Sequence, residues 1–163
     1  MSLVVSDTTP LNYLILVGNI EILPRLFGKV LVPPAVIDEL RHPKAPDPVR
    51  GWAHNLPAWI EIKVPKENLL PGQGLGRGED EAIALALELG SVLLADDREA
   101  VIVAKNKGLR AFGTLTLLDL ADENQLLDFE TAVAQLRATN FRCKRNILER
   151  VRSKVLARKS RSS

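Results

Sequence analysis

Short apolar runs without polar alternation recur along this chain, separated by stretches with helical spacing. A strand that is apolar on both faces must be covered on both faces, which is typical of a parallel sheet between helical layers. The sequence therefore predicts an α/β protein, a three-layer α/β/α sandwich around a parallel sheet of about five strands. The predicted strands are residues 3–6, 29–32, 59–64, 91–95 and 109–112.

The segments between and after these runs carry helical signals. The clearest helix is residues 79–89, which are rich in Ala, Leu and Glu and are followed by Gly90, a residue type that commonly ends helices. Residues 65–78 contain Gly72, Gly74, Gly76 and Gly78 and predict a surface loop. Further helices are predicted from about residue 10, and near residues 20–27, 35–41, 49–55, 98–107, 114–121, 129–138 and 143–157.

The formal net charge of +2 hides two oppositely charged parts of the chain. Residues 137–163 hold ten Lys or Arg and one acid, Glu149, whereas the preceding residues hold twelve bases and nineteen acids. We therefore predict an acidic domain at residues 1–139 and a basic C-terminal helix and tail at residues 140–163. The basic part has two interpretations, a solvated helix face or a surface that contacts nucleic-acid phosphates.

Cysteine and histidine usage favours a reducing compartment. Cys143 is the only cysteine, so no internal disulfide forms, and His42 and His54 do not complete a zinc-binding set with it. No run reaches the roughly 18 apolar residues of a membrane span, and the N-terminal residues lack a signal-peptide pattern. We expect a cytoplasmic protein with no membrane partner.

Acidic residues follow two of the predicted strands. Asp7 follows the first strand, and Asp96 and Asp97 follow the fourth. The binding crevice of an open parallel sheet lies outside the carboxyl ends of its strands. If the first and fourth strands are neighbours, which the sequence leaves open, these carboxylates converge at one edge of the sheet.

Two glutamates in predicted helices are candidates to join them. Glu39 is predicted to share a helix stripe with apolar residues and lies near a helix C-terminus, where the helix dipole disfavours an anion. Glu79 is predicted on the helix face that meets the sheet, and its rival Glu81 on another face, toward Glu88. Simpler interpretations remain open: an exposed helix-end acid for Glu39, and stabilisation of a helix N-terminus for Glu79.

Converging carboxylates repel one another unless a cation is bound between them. Oxygen ligands favour Mg²⁺ or Mn²⁺, and the lack of a local His and Cys set disfavours zinc. Such a site suits phosphodiester hydrolysis, because one or two ions can ionise a water and stabilise the charge that develops on phosphate.

Four acidic motifs, in this order, resemble those of the PIN-domain nucleases, and in particular a VapC-like branch with a Gly-Glu-x-Glu-Ala-Ile-Ala-Leu-Ala helix. They are VSDTTPL at residues 5–11, VPPAVIDEL at 32–40, GEDEAIALA at 78–86 and LLADDR at 93–98. Gly113-Thr114-Leu115 also resembles that branch. The resemblance covers about residues 3–120.

The resemblance implies a Mg²⁺- or Mn²⁺-dependent endoribonuclease that acts on single-stranded RNA and leaves a 5′-phosphate and a 3′-hydroxyl. Relatives are often the toxin of a toxin–antitoxin pair and often homodimers, so an antitoxin protein and a second copy are expected partners. The family's acidic quartet falls on Asp7, Glu39, Glu79 and Asp97, with Asp96 as an accessory metal ligand. Glu81 remains the rival of Glu79.

One departure from the family concerns Ala95, which stands where many relatives have Thr or Ser. A hydroxyl contribution would then be missing, and the alternative is a catalytically weak or inactive PIN module that binds RNA or a protein through the basic helix at residues 142–159. The apolar stripe of that helix, with Ile147 and Val151 among its members, requires a surface to pack on.

Other site types fit less well. Asp7 resembles the nucleophile of phosphoaspartyl phosphatases, but Thr9 replaces their second Asp. The glycines of residues 72–78 match neither dinucleotide-binding nor P-loop spacing. Trp52 and Trp59 are expected in the core rather than stacked on bases.

Overall fold

A parallel sheet forms the centre of the molecule. The computed structural model describes residues 3–67 and 75–162, which contain five strands and nine helices. The strands are β1 (Val4–Ser6), β2 (Val30–Val32), β3 (Ile60–Ile62), β4 (Val92–Leu94) and β5 (Ala111–Phe112). The helices are α1 (Thr8–Leu16), α2 (Ile22–Phe27), α3 (Pro34–Leu40), α4 (Asp47–His54), α5 (Arg77–Leu89), α6 (Arg98–Asn106), α7 (Thr114–Glu123), α8 (Phe129–Arg137) and α9 (Arg145–Ser162).

The strand order is β3-β2-β1-β4-β5, and every neighbouring pair is parallel. Val5 of the central strand β1 lies opposite Leu31 on one side and Leu93 on the other. The predicted three-layer α/β/α fold is confirmed. The sequence left the neighbours of β1 open, and the structure shows that β1 and β4 pair directly, so their carboxyl ends share one edge.

Apolar cores cover both faces of the sheet. Val4 points into the larger core, with Leu11 of α1 and Leu118 of α7, whereas Val5 points into the smaller core, with Ile83 of α5 and Ala104 of α6. Both valines are fully buried. This explains the lack of polar alternation at Val4 and Val5, because a polar side chain among apolar neighbours on either face would lose its hydration without gaining a partner.

Helix α1 begins at Thr8, two residues before the predicted start. The reason is a cap: Asp7 is the N-cap residue, and its Oδ1 accepts a hydrogen bond from the Thr8 backbone N–H at 2.7 Å. The same carboxylate therefore ends β1 and starts α1, an arrangement that fixes its position relative to the sheet.

The predicted loop at residues 65–78 is partly wrong. Helix α5 begins at Arg77, so Gly78 lies inside its first turn and is buried. Gly72 and Gly74 of the predicted loop lie outside the described residues.

The basic helix α9 packs on the body of the protein. Leu148 and Val155 are buried in the larger core, but Ile147, predicted on the same stripe, is 42% exposed. Arg158 donates hydrogen bonds to the carboxylates of Asp119 at 2.7 Å and Asp122 at 2.9 Å, both on α7. Part of the basic charge of α9 is thus paired with acids of the same molecule.

Within residues 3–67 and 75–162, no helix combines the length and apolar character of a membrane span.

We expect Arg158→Ala to lower the free energy of unfolding by about 2–3 kcal/mol, because it leaves two poorly hydrated carboxylates on α7 without their main partner. The loss should be smaller than for a fully buried pair, since the Arg158 side chain is 21% exposed. Urea denaturation measures the change. Arg150→Ala removes an exposed charge from the same helix and should change stability by less than about 0.5 kcal/mol; equal losses in the two variants would contradict the assigned ion pairs.

Candidate acidic active site

Asp7 is the buried centre of an acidic site at the carboxyl edge of the sheet. Its backbone N–H donates to the Leu94 carbonyl at 2.9 Å, which ties it to the end of β4. The residue is only 3% exposed. Burial, with the charges of Glu79, Glu39 and Asp96, raises the pKa of the Asp7 carboxyl from 3.8 to about 7, although the hydrogen bond from the Thr8 backbone N–H opposes the shift. The strongest charge effects on Asp7 thus come from acids.

Glu39 reaches this centre from α3. Its Oε2 accepts a hydrogen bond from the Thr8 hydroxyl, and its Oε1 accepts one from the Gly78 backbone N–H at 3.1 Å. Ala35 and Val36, four and three residues before it, are buried, whereas Glu39 itself is exposed. The Glu39 side chain thus lies at the border of the apolar face of α3 and extends toward α1 and α5.

Glu79 and Glu81 are directed to different neighbours. Glu79 accepts a hydrogen bond from the Gly76 backbone N–H at 2.9 Å, which caps α5. Burial raises the pKa of Glu79, and a hydrogen bond and the charge of the neighbouring Asp97 act in the same direction. Glu81 instead accepts from the Ala35 backbone N–H at 3.1 Å, at the start of α3.

The Glu79 carboxylate therefore joins the acidic edge while it also caps its helix, as the simpler interpretation expected. Glu81 instead bridges α5 to the first turn of α3.

The two aspartates after β4 have different partners. Asp97 is exposed and caps α6, accepting from the Ala100 backbone N–H at 3.0 Å. Asp96 points to the start of α7, where its two oxygens accept from the Thr114 backbone N–H at 2.8 Å and the Thr114 hydroxyl at 2.6 Å. Burial raises the pKa of Asp96, although both hydrogen bonds oppose that shift.

Three residues that position these carboxylates were not singled out from the sequence. Thr8 and Gly78 hold Glu39, and Thr114 holds Asp96. A signal was present for Thr114, which belongs to the Gly-Thr-Leu motif, and its hydroxyl supplies at Asp96 the kind of group that Ala95 lacks. Gly78 begins the motif at residues 78–86, but its contact with Glu39 depends on the approach of α3 to α5.

The acidic edge fits a hard divalent cation by its chemistry. Its donors are all carboxylate oxygens, which Mg²⁺ and Mn²⁺ prefer. Asp7 is a buried carboxylate surrounded by like charges, and a bound cation would offset that repulsion. Among the described residues, no three Asp, Glu, His or Cys side chains lie close enough together to hold one ion as they stand. The hydrogen bonds to Thr8, Gly78 and Gly76 keep Glu39 and Glu79 engaged elsewhere.

Trp52 and Trp59 lie away from this edge, on α4 and before β3. Their rings contact each other, with centroids 6.0 Å apart, and both pack against the larger core. The contacts agree with the expectation that these side chains serve the core.

A parallel sheet with an acidic carboxyl edge is the architecture of a PIN domain, and comparison with known families identifies it as such. A sequence family described as a PIN domain matches residues 3–156, so the chain belongs to the PIN-domain family, whose members are generally nucleases that use divalent metals. The match extends past residue 139 and includes most of α9.

One solved structure with this fold is a PilT N-terminus domain protein from the hyperthermophilic archaeon Sulfolobus solfataricus P2. It is 17% identical, with a TM-score of 0.50, and the alignment covers 87% of this chain and 99% of that one. At this identity the likeness shows the fold alone. No curated protein matches the sequence.

We expect the stability of the metal-free protein to fall as pH rises from about 4 to 7. Because the folded-state pKa of Asp7 is raised, its protonated form stabilises the fold at low pH, and this contribution is lost as pH rises through about 7. Asp7→Asn removes the titration, so in EDTA it should be more stable than the wild type at pH 8, by at most about 4 kcal/mol. The difference should shrink toward pH 4. Urea denaturation across this range, with Asp38→Asn as an exposed control, measures it; a difference independent of pH would contradict the assignment.

We expect Gly78→Ala to bring no gain in stability. A Cβ atom at this position would lie 2.5 Å from Glu39 Oε1 and 2.8 Å from its carboxyl carbon, so Glu39 must move and lose its hydrogen bond to Gly78. The matched control is Gly51→Ala in α4, where a Cβ meets nothing within 4 Å and should stabilise by about 0.5–1 kcal/mol. Thermal unfolding compares the two variants, and an equal gain in both would contradict the close approach.

Proposed function

We propose that this protein is a Mg²⁺- or Mn²⁺-dependent endoribonuclease that hydrolyses phosphodiester bonds of single-stranded RNA. The observation that carries the proposal is Asp7: a buried carboxylate at the carboxyl edge of the sheet, with its pKa raised to about 7 and with Glu79, Glu39 and Asp96 as its charged neighbours. An uncompensated acidic centre of this kind gains most from a cation.

Asp7, Glu39, Glu79 and Asp97 would hold the ion, and Asp96 would assist. The ion would lower the pKa of water and stabilise the charge that develops on the phosphate. The chain itself holds the carboxylates in place: Thr8 and Gly78 orient Glu39, and Thr114 orients Asp96. The products would be a 5′-phosphate and a 3′-hydroxyl.

The proposal extends to the protein's biological setting. The resemblance of the acidic motifs to the VapC-like branch supports a toxin of a toxin–antitoxin pair, acting in the cytoplasm as a homodimer that an antitoxin protein inhibits. The acidic motifs at residues 5–11 and 78–86 carry this part of the proposal.

A second candidate function is a PIN module that binds RNA or a protein with little or no catalysis. One observation favours it: no three acids in the described part of the chain are close enough to ligate one ion together. Glu39 is also engaged by Thr8 and Gly78. A catalytic site would require these side chains to exchange hydrogen bonds for a metal.

The deciding experiment is RNA cleavage by the purified protein with Mn²⁺ or Mg²⁺. We expect cleavage that EDTA stops and that Asp7→Asn lowers by about 100-fold or more, as loss of a metal ligand should. Asp38→Asn is the matched control, since Asp38 is an exposed acid on α3 that pairs with Arg77. Cleavage that survives Asp7→Asn would refute the catalytic proposal, and absence of cleavage by the wild type would favour the binding module.

The rival glutamates can be separated in the same assay. Glu79→Gln keeps the size of the side chain and should lower cleavage about as much as Asp7→Asn. Glu81→Gln should instead weaken the contact to the Ala35 backbone, with a fall in thermal stability and a smaller effect on cleavage. A larger loss of cleavage in Glu81→Gln would reverse the assignment of the third carboxylate.

A further inference from the structure

Residues 140–145, which lead from α8 into the first residue of α9, are fixed against α1. Phe141 is buried, and its ring meets the Tyr13 ring edge-on, with centroids 5.0 Å apart and an angle of 82°. The Tyr13 hydroxyl donates to Asn140 Oδ1 at 2.8 Å. We call residues 140–145 the connecting segment. Two contacts thus hold its first residues against the helix that Asp7 caps.

The connecting segment lies beside the acidic edge. Tyr13 is six residues after Asp7, or about 9 Å farther along the axis of α1, and helical side chains lean back toward the helix N-terminus, which here lies at the acidic edge. Burial raises the pKa of Tyr13, the charge of Asp96 raises it further, and Arg142 acts in the opposite direction. Burial likewise raises the pKa of Cys143, with Arg137 opposing and Asp96 reinforcing the shift. The charge of Asp96 therefore acts both on Tyr13 of α1 and on Cys143 of the connecting segment.

The segment also carries positive charge that the body does not neutralise. Arg142, Lys144 and Arg145 are exposed, and none forms a salt bridge with another described residue. The basic residues on the inner side of α9 behave differently, since Arg152 pairs with Glu130 and Glu149.

A polyanion approaching an acidic centre is repelled unless cations lie next to that centre. Proteins that bind single strands combine such cations with aromatic rings. The half-buried Tyr13 and the three exposed bases provide both elements beside Asp96.

We propose that Tyr13 and the connecting segment form a subsite for single-stranded RNA next to the acidic edge. In this subsite Arg142, Lys144 and Arg145 contact the phosphates that flank the reacting one, and Tyr13 contacts a base or ribose. The inference deepens the proposed function and rests on it for the identity of the strand. It assigns RNA contact to the connecting segment rather than to the length of α9.

The test measures binding without cleavage. Fluorescein-labelled single-stranded RNA of mixed sequence is titrated in EDTA with the full-length protein, and anisotropy gives Kd. We expect Arg142→Ala/Lys144→Ala to weaken binding roughly tenfold and to lower the salt slope, d log K/d log[salt], by about 1.4, or about 0.7 for each lost phosphate contact. Unchanged affinity and slope would overturn the proposal, as would a wild type that binds no RNA.

The control variant removes the same number of positive charges from a different part of the surface. Lys107 is exposed and follows α6 at the amino edge of the sheet, opposite the acidic edge. Lys107→Ala/Lys105→Ala therefore removes the same two charges far from the connecting segment and should leave Kd within about twofold of the wild type. Equal weakening in both double variants would show a general charge effect and overturn the subsite.

Cys143 gives a second readout, because it is the only cysteine and is exposed. Bound RNA should slow its alkylation by iodoacetamide in the wild type, and Tyr13→Phe, which keeps the ring but loses the bond to Asn140, should reduce this protection. Alkylation unaffected by saturating RNA would overturn the proposal.

The subsite and the proposed nuclease activity can fail separately. RNA that binds as expected but is never cleaved refutes only the nuclease activity. Cleavage with no loss of binding in Arg142→Ala/Lys144→Ala refutes only the subsite.

Discussion

The pairing of β1 with β4 is the constraint on which the rest of this site depends. The Asp7 backbone donates to the Leu94 carbonyl, so Asp7 and the Asp96-Asp97 pair leave adjacent strands at the same edge. Each strand has only three residues, and side chains on both faces anchor it in the two cores. The register is constrained, because a shift of one residue would carry the charged Asp7 from the edge into the sheet.

The helices then bring the remaining carboxylates to that edge, at a cost in stability. Burial and like charges make Asp7 difficult to ionise. The strongest charge effects on Asp7 come from Glu79, Glu39 and Asp96, and none comes from a basic side chain. Backbone N–H groups and hydroxyls bind the neighbouring acids instead, as with Thr114 at Asp96. Such contacts orient a carboxylate while its negative charge remains available to a cation.

The chain separates its charges by location. Acids converge at the carboxyl edge, inner bases of α9 pair with acids of α7 and α8, and outer bases of the connecting segment remain exposed. The net charge of the basic C-terminal part therefore overstates the positive charge on its surface, because Arg158 and Arg152 form salt bridges within the molecule. Family membership and fold agree with a nuclease.

Local sequence determined the elements and their order. Apolar runs without alternation indicated buried parallel strands, and Asp7 and Asp97 were identified at strand ends because short-range signals mark both. Tertiary structure alone decided the neighbours of β1, the exposed position of Glu39, and the different partners of Glu79 and Glu81. The physical reason is range: helix and strand preferences act over a few residues, whereas the close approach of Gly78 to Glu39 joins residues far apart in the chain and depends on how α3 packs against α5.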